Sequence, residues 1–180
     1  MDKAEKFKLL KLLTLFVFLG IVFIEFKPSE WIWSILSGCA VAWFLVELYF
    51  EKPSAQRIKK AITLGLFLMA YDFLFENSGT VFDLWRSSDS IFFVWTVPVE
   101  VMVLCLFGGA AWYLYIPKEF DRTYSIFDIA LISTFGALGE YILIQNGLMH
   151  YYLWWTSLHA LASYTFTWII LHFVRYRIIQ

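Results

Sequence analysis

Residues 91–115 read IFFVWTVPVEVMVLCLFGGAAWYLY. This run is long and apolar enough to cross a lipid bilayer, which takes roughly 20 mostly apolar residues. It nevertheless contains Pro98 and Glu100, although a buried carboxylate is costly in a membrane and proline removes a helical hydrogen bond. We therefore expect Pro98 to bend the helix and open a pocket beside Glu100. The structural alternative is a kink relieved by packing, with a protonated Glu100 bonded to a neighbouring helix.

The rest of the 180-residue chain has the same character, with 61% hydrophobic, 21% aromatic and 16% charged residues. This composition argues against an ordinary soluble domain and predicts an integral membrane protein. The 14 Lys and Arg nearly balance the 15 Asp and Glu, and no basic patch indicates a nucleic-acid partner. Cys39 and Cys105 lie in apolar runs without metal-ligand spacing, so we expect no metal and no cofactor.

Six apolar segments predict an all-α bundle of six transmembrane helices that forms one domain, residues 1–180. The predicted spans are 9–26, 31–50, 61–77, 91–115, 126–145 and 150–174. A basic segment precedes the first span as in a signal peptide, but no small-residue cleavage site follows, so we expect this span to be retained. The small residues in FGGAAW (107–112) predict close packing of the fourth span against a neighbour.

The distribution of Lys and Arg predicts the orientation of the spans. One set of alternate connections and termini carries Lys3, Lys6, Lys8, Lys11, Lys52, Arg57, Lys59, Lys60, Lys118, Arg122, Arg175 and Arg177. The other set carries only Lys27 and Arg86. By the positive-inside rule, this asymmetry predicts a multi-pass protein of the cell membrane with both termini in the cytoplasm.

Ionisable residues of several predicted spans fall in the outer half of the bilayer. At 1.5 Å per residue, Asp72 and Glu140 lie roughly 7 Å below the outer surface, and Glu100 and His159 roughly 13 Å below it. Glu76 shares a helical face with Asp72, four residues away. Polar groups at this depth must face protein, water or one another, which predicts a shared site. Taken alone, His159 also fits a core histidine bonded to a backbone carbonyl.

These groups suggest acid chemistry on an apolar ligand. A carboxylic acid in an apolar pocket keeps its proton near neutral pH and can act as a general acid. Aromatic rings nearby could stabilise a cation or stack along a polyene. The aromatic and neighbouring residues that we expect to contact such a ligand, together with Glu76, are Trp85, Trp95, Pro98, Tyr151 and Trp155.

Other polar and aromatic residues have simpler interpretations. Trp31, Trp33 and Trp112 are expected in the aromatic belts at the membrane surfaces. Glu47 and Asp128 are expected near cytoplasmic helix ends, where Lys and Arg can pair with them or the side chains can reach water.

A short set of motifs in residues 71–106 adds a family resemblance. Tyr71 and Asp72 stand near the end of one span, Gly79 and Phe82 in the outer loop, and Pro98 with Glu100 at the entry of the next span. With these residues the segment resembles the membrane lycopene cyclase domain of the heterodimeric bacterial and archaeal type, and it is similar to carotenoid hydratase-type membrane proteins. Val101 stands where that family has a second glutamate.

The resemblance implies an enzyme of carotenoid or isoprenoid metabolism in which Glu100 protonates a terminal double bond. Asp72 and Glu140 would orient Glu100 or relay its proton, and His159 completes the expected catalytic set. Two other functions fit the sequence: a non-enzymatic subunit of a larger membrane complex that binds lipid or pigment, and a small proton-coupled transporter. The expected partners are the lipid bilayer, a hydrophobic isoprenoid and further copies or other chains in an oligomer.

Overall fold

The structure, a computed structural model, describes residues 6–8, 10–15, 17, 31–88 and 90–179. Most of the predicted first span, 9–26, lies outside the described residues. Those of its residues that are described, 10–15 and 17, are helical, as are residues 6–8.

Five long helices follow in the described chain. They are α1 (Ile32–Glu51), α2 (Ala55–Val81), α3 (Val99–Tyr115), α4 (Arg122–Gln145) and α5 (Ser157–Phe173), the last continued by a π-helical turn, Val174–Ile178. Three of them, namely α1, α4 and α5 with its continuation, are long and apolar enough to cross a membrane, and α3 is apolar but shorter. The prediction of a mostly helical protein suited to a bilayer is confirmed.

Two helix starts follow directly from capping residues. The Ser54 hydroxyl accepts a hydrogen bond from the backbone N–H of Arg57, 3.3 Å away, at the start of α2. The Asp121 carboxylate accepts one from the N–H of Tyr124, 2.7 Å away, at the start of α4. Such side chains satisfy N–H groups that have no partner within the helix, and they fix where each helix begins.

The expected helix over 91–115 is wrong in its first eight residues, because α3 begins only at Val99. Ahead of it, β2 (Phe93–Val94) and β3 (Val97–Pro98) form an antiparallel hairpin. Its two-residue turn contains Trp95 at φ 57°. Pro98 stands at the N-cap of α3, where its missing N–H removes no helical hydrogen bond. The predicted proline bend within the helix is therefore also wrong.

The predicted helix over 150–174 likewise begins late, at Ser157. Gly147, with φ +74°, follows the end of α4 and turns the chain back. The next residues form β4 (Met149–Tyr151), which pairs antiparallel with β1 (Trp85–Ser87). We call the end of the bundle that carries β1–β4 the sheet end, and the opposite end, where α1 and α3 finish and α2 and α4 begin, the terminal end.

Within the bundle, α3 packs against both α1 and α2, and α4 packs against α5. The contact of α2 with α3 depends on small residues. A Cβ atom at Gly65 would lie 2.1 Å from the carbonyl oxygen of Leu106, and one at Gly109 would lie 3.1 Å from the Cα of Gly65. The close packing predicted for 107–112 is confirmed, and its partner is α2.

Candidate functional site

Three of the predicted acids come together near the sheet end. Asp72 and Glu76 lie one turn apart on α2, and each interacts electrostatically with Glu140 of α4. The Cys105 thiol of α3 lies beside Asp72. The Oδ2 atom of Asp72 is buried and has no hydrogen-bond partner among the described residues. We call Asp72, Glu76 and Glu140 the carboxyl cluster.

Aromatic side chains donate hydrogen bonds to two members of the carboxyl cluster. The Trp85 indole Nε1 donates to Oε2 of Glu76 at 3.1 Å. The Tyr151 hydroxyl donates to Oε2 of Glu140, and the Tyr164 hydroxyl of α5 bonds to the same carboxyl. Burial and the neighbouring Glu140 raise the pKa of Tyr151 above its usual range, so this tyrosine stays a neutral donor. The rings therefore hold two carboxyls in fixed positions.

Two glycines make room for these rings. A Cβ atom at Gly79 would lie 2.1 Å from the Trp85 ring, and one at Gly136 would lie 2.8 Å from the Tyr164 ring. Gly79 follows Glu76 by three residues and Gly136 precedes Glu140 by four, so each glycine shares a helical face with the carboxyl that its ring contacts. Without a side chain at these positions, each ring lies flat on the helix and reaches the carboxyl.

An aromatic wall covers the carboxyl cluster at the sheet end. Trp85, only 3% exposed, packs against Trp155 with ring centroids 4.4 Å apart and against Phe75 at 5.0 Å. His159 stacks on Trp155 at 5.4 Å, and its Nδ1 lies 2.9 Å from the Thr156 hydroxyl. In the described part of the chain, no hydrogen bond or ion pair joins His159 to an acid. The structure places this predicted catalytic residue in the wall.

Glu100 stands apart from the carboxyl cluster. Its Oε2 accepts a hydrogen bond from the Ser90 hydroxyl at 2.5 Å, and its Oε1 accepts one from the backbone N–H of Ile91 at 3.0 Å. No hydrogen bond or ion pair links Glu100 to the carboxyl cluster within the described ranges. A carboxylate in the first turn of a helix is also favoured by the unpaired N–H groups there. Glu100 thus fastens the 90–98 loop to α3.

The hairpin side chains differ in exposure. Trp95 is 83% exposed, and its ring stacks on Phe73 of α2 with centroids 6.1 Å apart. The next residue, Thr96, donates to Oδ1 of Asn77 at 2.8 Å, which attaches the turn to α2. Pro98 is fully buried next to α3. The structure therefore places Trp95 outside the aromatic wall that Trp85 and Trp155 form.

A second polar centre, near the terminal end, corrects two predictions. Asp128 of α4 is completely buried, and its Oδ2 accepts from the Trp112 indole at 2.9 Å and lies 2.9 Å from Nε2 of His172. The expectations that Asp128 pairs with Lys or Arg and that Trp112 belongs to an interfacial belt are wrong. Trp33 is buried as well and donates to the Ser88 carbonyl. His172 was not among the predicted site residues, although its place in the sequence puts it as close to the terminal end as Asp128.

Among the described residues, no group of three or more His, Cys, Asp and Glu side chains is arranged to hold a metal ion. Comparison of the chain with protein-family models, with curated proteins and with solved structures finds no match. The geometry of the carboxyl cluster and of the aromatic wall is therefore the basis for a function.

Proposed function

We propose that this chain is a six-span protein of the cell membrane that acts on a long isoprenoid by proton-initiated chemistry at the carboxyl cluster. The observation that carries the proposal is the convergence of three carboxyls, from α2 and α4, beneath a wall of aromatic rings. The sheet end faces outward and both termini lie in the cytoplasm, as the distribution of Lys and Arg favours.

The carboxyl cluster is suited to hold a transferable proton. Three carboxylates in one apolar cluster would repel one another, and a proton on one of them removes part of that repulsion. The ring donors fix Glu76 and Glu140, whereas Oδ2 of Asp72 is free of protein donors in the described chain. Asp72 is therefore the acid that reaches a ligand, and the two glutamates resupply its proton.

The chemistry follows from protonating a polyene. The carboxylic acid gives its proton to a terminal double bond, whose electron pair forms the new C–H bond and leaves a carbocation on the neighbouring carbon. Rings of the aromatic wall, of which Trp155 is the half-buried one, can stabilise that cation. Attack by a second double bond closes a ring, and loss of a proton from carbon to the carboxylate restores the acid. Attack by water instead gives an alcohol, and the proton that this water loses also returns to the carboxylate.

Ligand content is the first test of the proposal. We expect an organic extract of protein purified gently from a carotenoid-producing host to contain a polyene, detected by visible absorption and mass spectrometry. An extract with bulk lipid alone would contradict the proposal. Stoichiometric partner chains in that preparation would instead favour a subunit of a larger complex.

The position of the acid is tested separately with matched variants. We expect Asp72→Asn to lower turnover by about 100-fold or more, the usual contribution of a general acid. Glu100→Gln keeps one acceptor oxygen for the Ile91 N–H, its NH2 group can donate to the Ser90 hydroxyl, and it should retain most of the turnover. The opposite ranking would assign the acid to Glu100, as the family resemblance implies.

A proton-coupled carrier is the second candidate, because acids from two helices meet at membrane depth in the carboxyl cluster. For that function, uptake of an apolar solute into liposomes should follow an imposed proton gradient and stop in Asp72→Asn. Uptake at the same rate with and without the proton gradient would exclude a proton-coupled carrier.

A further inference from the structure

Polar side chains continue from the carboxyl cluster towards the terminal end along α5. Tyr164, Trp168 and His172 are four residues apart and therefore share one helical face. At one end of this line Tyr164 bonds to Glu140, and at the other His172 lies 2.9 Å from Asp128. The face thus joins the two polar centres.

A matching line runs along α4. Ser133 lies between Asp128 and Glu140, roughly 8 Å and 10 Å from them along the helix axis. Ser133, Gly136 and Glu140 share a helical face. Gly136 packs directly on the Tyr164 ring, so this face is the one that meets α5. We call the two lines together the α4–α5 seam.

The seam contains buried polar atoms that the protein does not satisfy. Within the described residues, four of them have no hydrogen-bond partner: Oδ1 of Asp128, Nδ1 of His172, Oγ of Ser133 and Nε1 of Trp168. Asp128, Ser133 and His172 are 0%, 1% and 5% exposed. A buried polar atom without a partner is strongly unfavourable, so four on these two packed helices indicate partners other than protein. A buried water molecule typically makes about three hydrogen bonds to such atoms.

We propose that the α4–α5 seam binds a chain of internal water molecules that carries protons from the terminal end to the carboxyl cluster. A proton enters at the Asp128–His172 pair, passes between waters past Ser133, and ends on the Glu140 carboxylate. Glu140 can accept it because its previous proton has already left, so the charge of the seam is unchanged after each transfer. The inference shares the carboxyl cluster with the proposed function but requires no isoprenoid ligand.

The surroundings of the two ends differ in charge. The titratable and aromatic groups around Asp128 and His172 include Trp112, Trp168, Tyr115, Tyr176 and, against the Tyr176 ring, the Arg175 guanidinium. Those around Glu140 are Asp72, Glu76, Tyr151 and Tyr164. Between the ends, the described seam offers only neutral groups, so water is the carrier of the proton there.

Hydroxyl-radical footprinting of the full chain in lipid nanodiscs tests the presence of water directly. An X-ray pulse splits bound water in place, and mass spectrometry then locates the oxidised side chains. After correction for intrinsic reactivity, we expect Trp168 and Tyr164 to be oxidised at least threefold faster than Phe67, a ring that is also half-buried but packs against an apolar cluster. Equal rates would overturn the proposal.

A pair of serine variants gives an independent test. Ser37 is buried like Ser133, but its hydroxyl donates to the Ser34 carbonyl within α1. In a hydrated seam, Ser133→Ala removes bonds to water and should lower Tm by more than Ser37→Ala. In a dry seam, Ser133→Ala removes an unsatisfied hydroxyl and should raise Tm, which would contradict the proposal.

Proton flow is tested in vesicles that contain a pH-sensitive dye. Trp155→Ala removes part of the wall over the carboxyl cluster and should let protons enter several-fold faster than in wild type under an imposed potential. Adding Asp128→Asn, which keeps hydrogen-bonding groups beside Trp112 and His172 but has no titratable carboxyl, should restore the slow rate. No gain in Trp155→Ala would overturn the proton route, whereas a purified protein without polyene would overturn only the proposed function.

Discussion

Gly79→Ala offers the sharpest test of how the carboxyl cluster is held. The new methyl group would lie 2.1 Å from the Trp85 ring, whereas ordinary contacts begin at 3.4 Å, so the ring must move by about 1.3 Å. The hydrogen bond from Trp85 to Glu76 is 3.1 Å long and does not survive such a shift. Overpacking and the lost bond together should cost about 2–4 kcal/mol of unfolding free energy.

The assay compares the Tm of Gly79→Ala with the Tm of two control variants, Gly108→Ala and Gly139→Ala. Both controls are at helical positions where a Cβ atom meets nothing within 4 Å. Alanine in place of a helical glycine normally stabilises, by about 0.5–1 kcal/mol, so the controls should move in the opposite direction. In a Trp85→Ala background no ring is left to clash, and Gly79→Ala should then behave like the controls. A Gly79→Ala variant as stable as wild type would show that Trp85 does not pack on this glycine.

Three further predictions follow from the same contacts. Asp128→Ala leaves His172 buried without its partner and should destabilise the protein by about 3 kcal/mol, measured by thermal unfolding, with a smaller loss for Asp128→Asn. Thr96→Val breaks the bond to Asn77, and amide hydrogen exchange over 91–98 should accelerate while exchange in α4 stays unchanged. Folding raises the pKa of Tyr151, so this tyrosine contributes fully to the unfolding free energy below its ordinary pKa of 10 and contributes less as the pH rises further. When the pH is raised above 10, the unfolding free energy of Tyr151→Phe should therefore fall by less than that of wild type.

Much of the helical framework was predictable because length and apolar character carry the information. The span predicted at 31–50 is the helix Ile32–Glu51, and that at 126–145 lies within Arg122–Gln145. The proximity of Asp72 and Glu140 was also predictable, since acids counted to the same depth have few favourable partners besides one another, and Glu76 shares a helical face with Asp72. Depth can be counted along a helix from its ends.

The departures occur where depth alone does not determine the contact. Residues 91–98 are as apolar as a membrane-spanning helix, and composition cannot distinguish a short hairpin from a helical turn. That hairpin moves Glu100 to the first turn of α3, away from the carboxyl cluster. The contact of Asp128 with His172 joins residues 44 apart in the chain, and only the packing of α4 on α5 creates it.

Conversion of an acyclic polyene in D2O tests the central claim most directly. The purified protein in lipid would be given such a substrate, and mass spectrometry would measure deuterium in the product. Proton transfer from the carboxyl cluster, with its acids exchanging with D2O between turnovers, predicts one deuterium per initiated end in the wild type. It also predicts loss of product in Asp72→Asn and product retained in Glu100→Gln. Absence of conversion by the wild type, or full conversion by Asp72→Asn, would contradict the account.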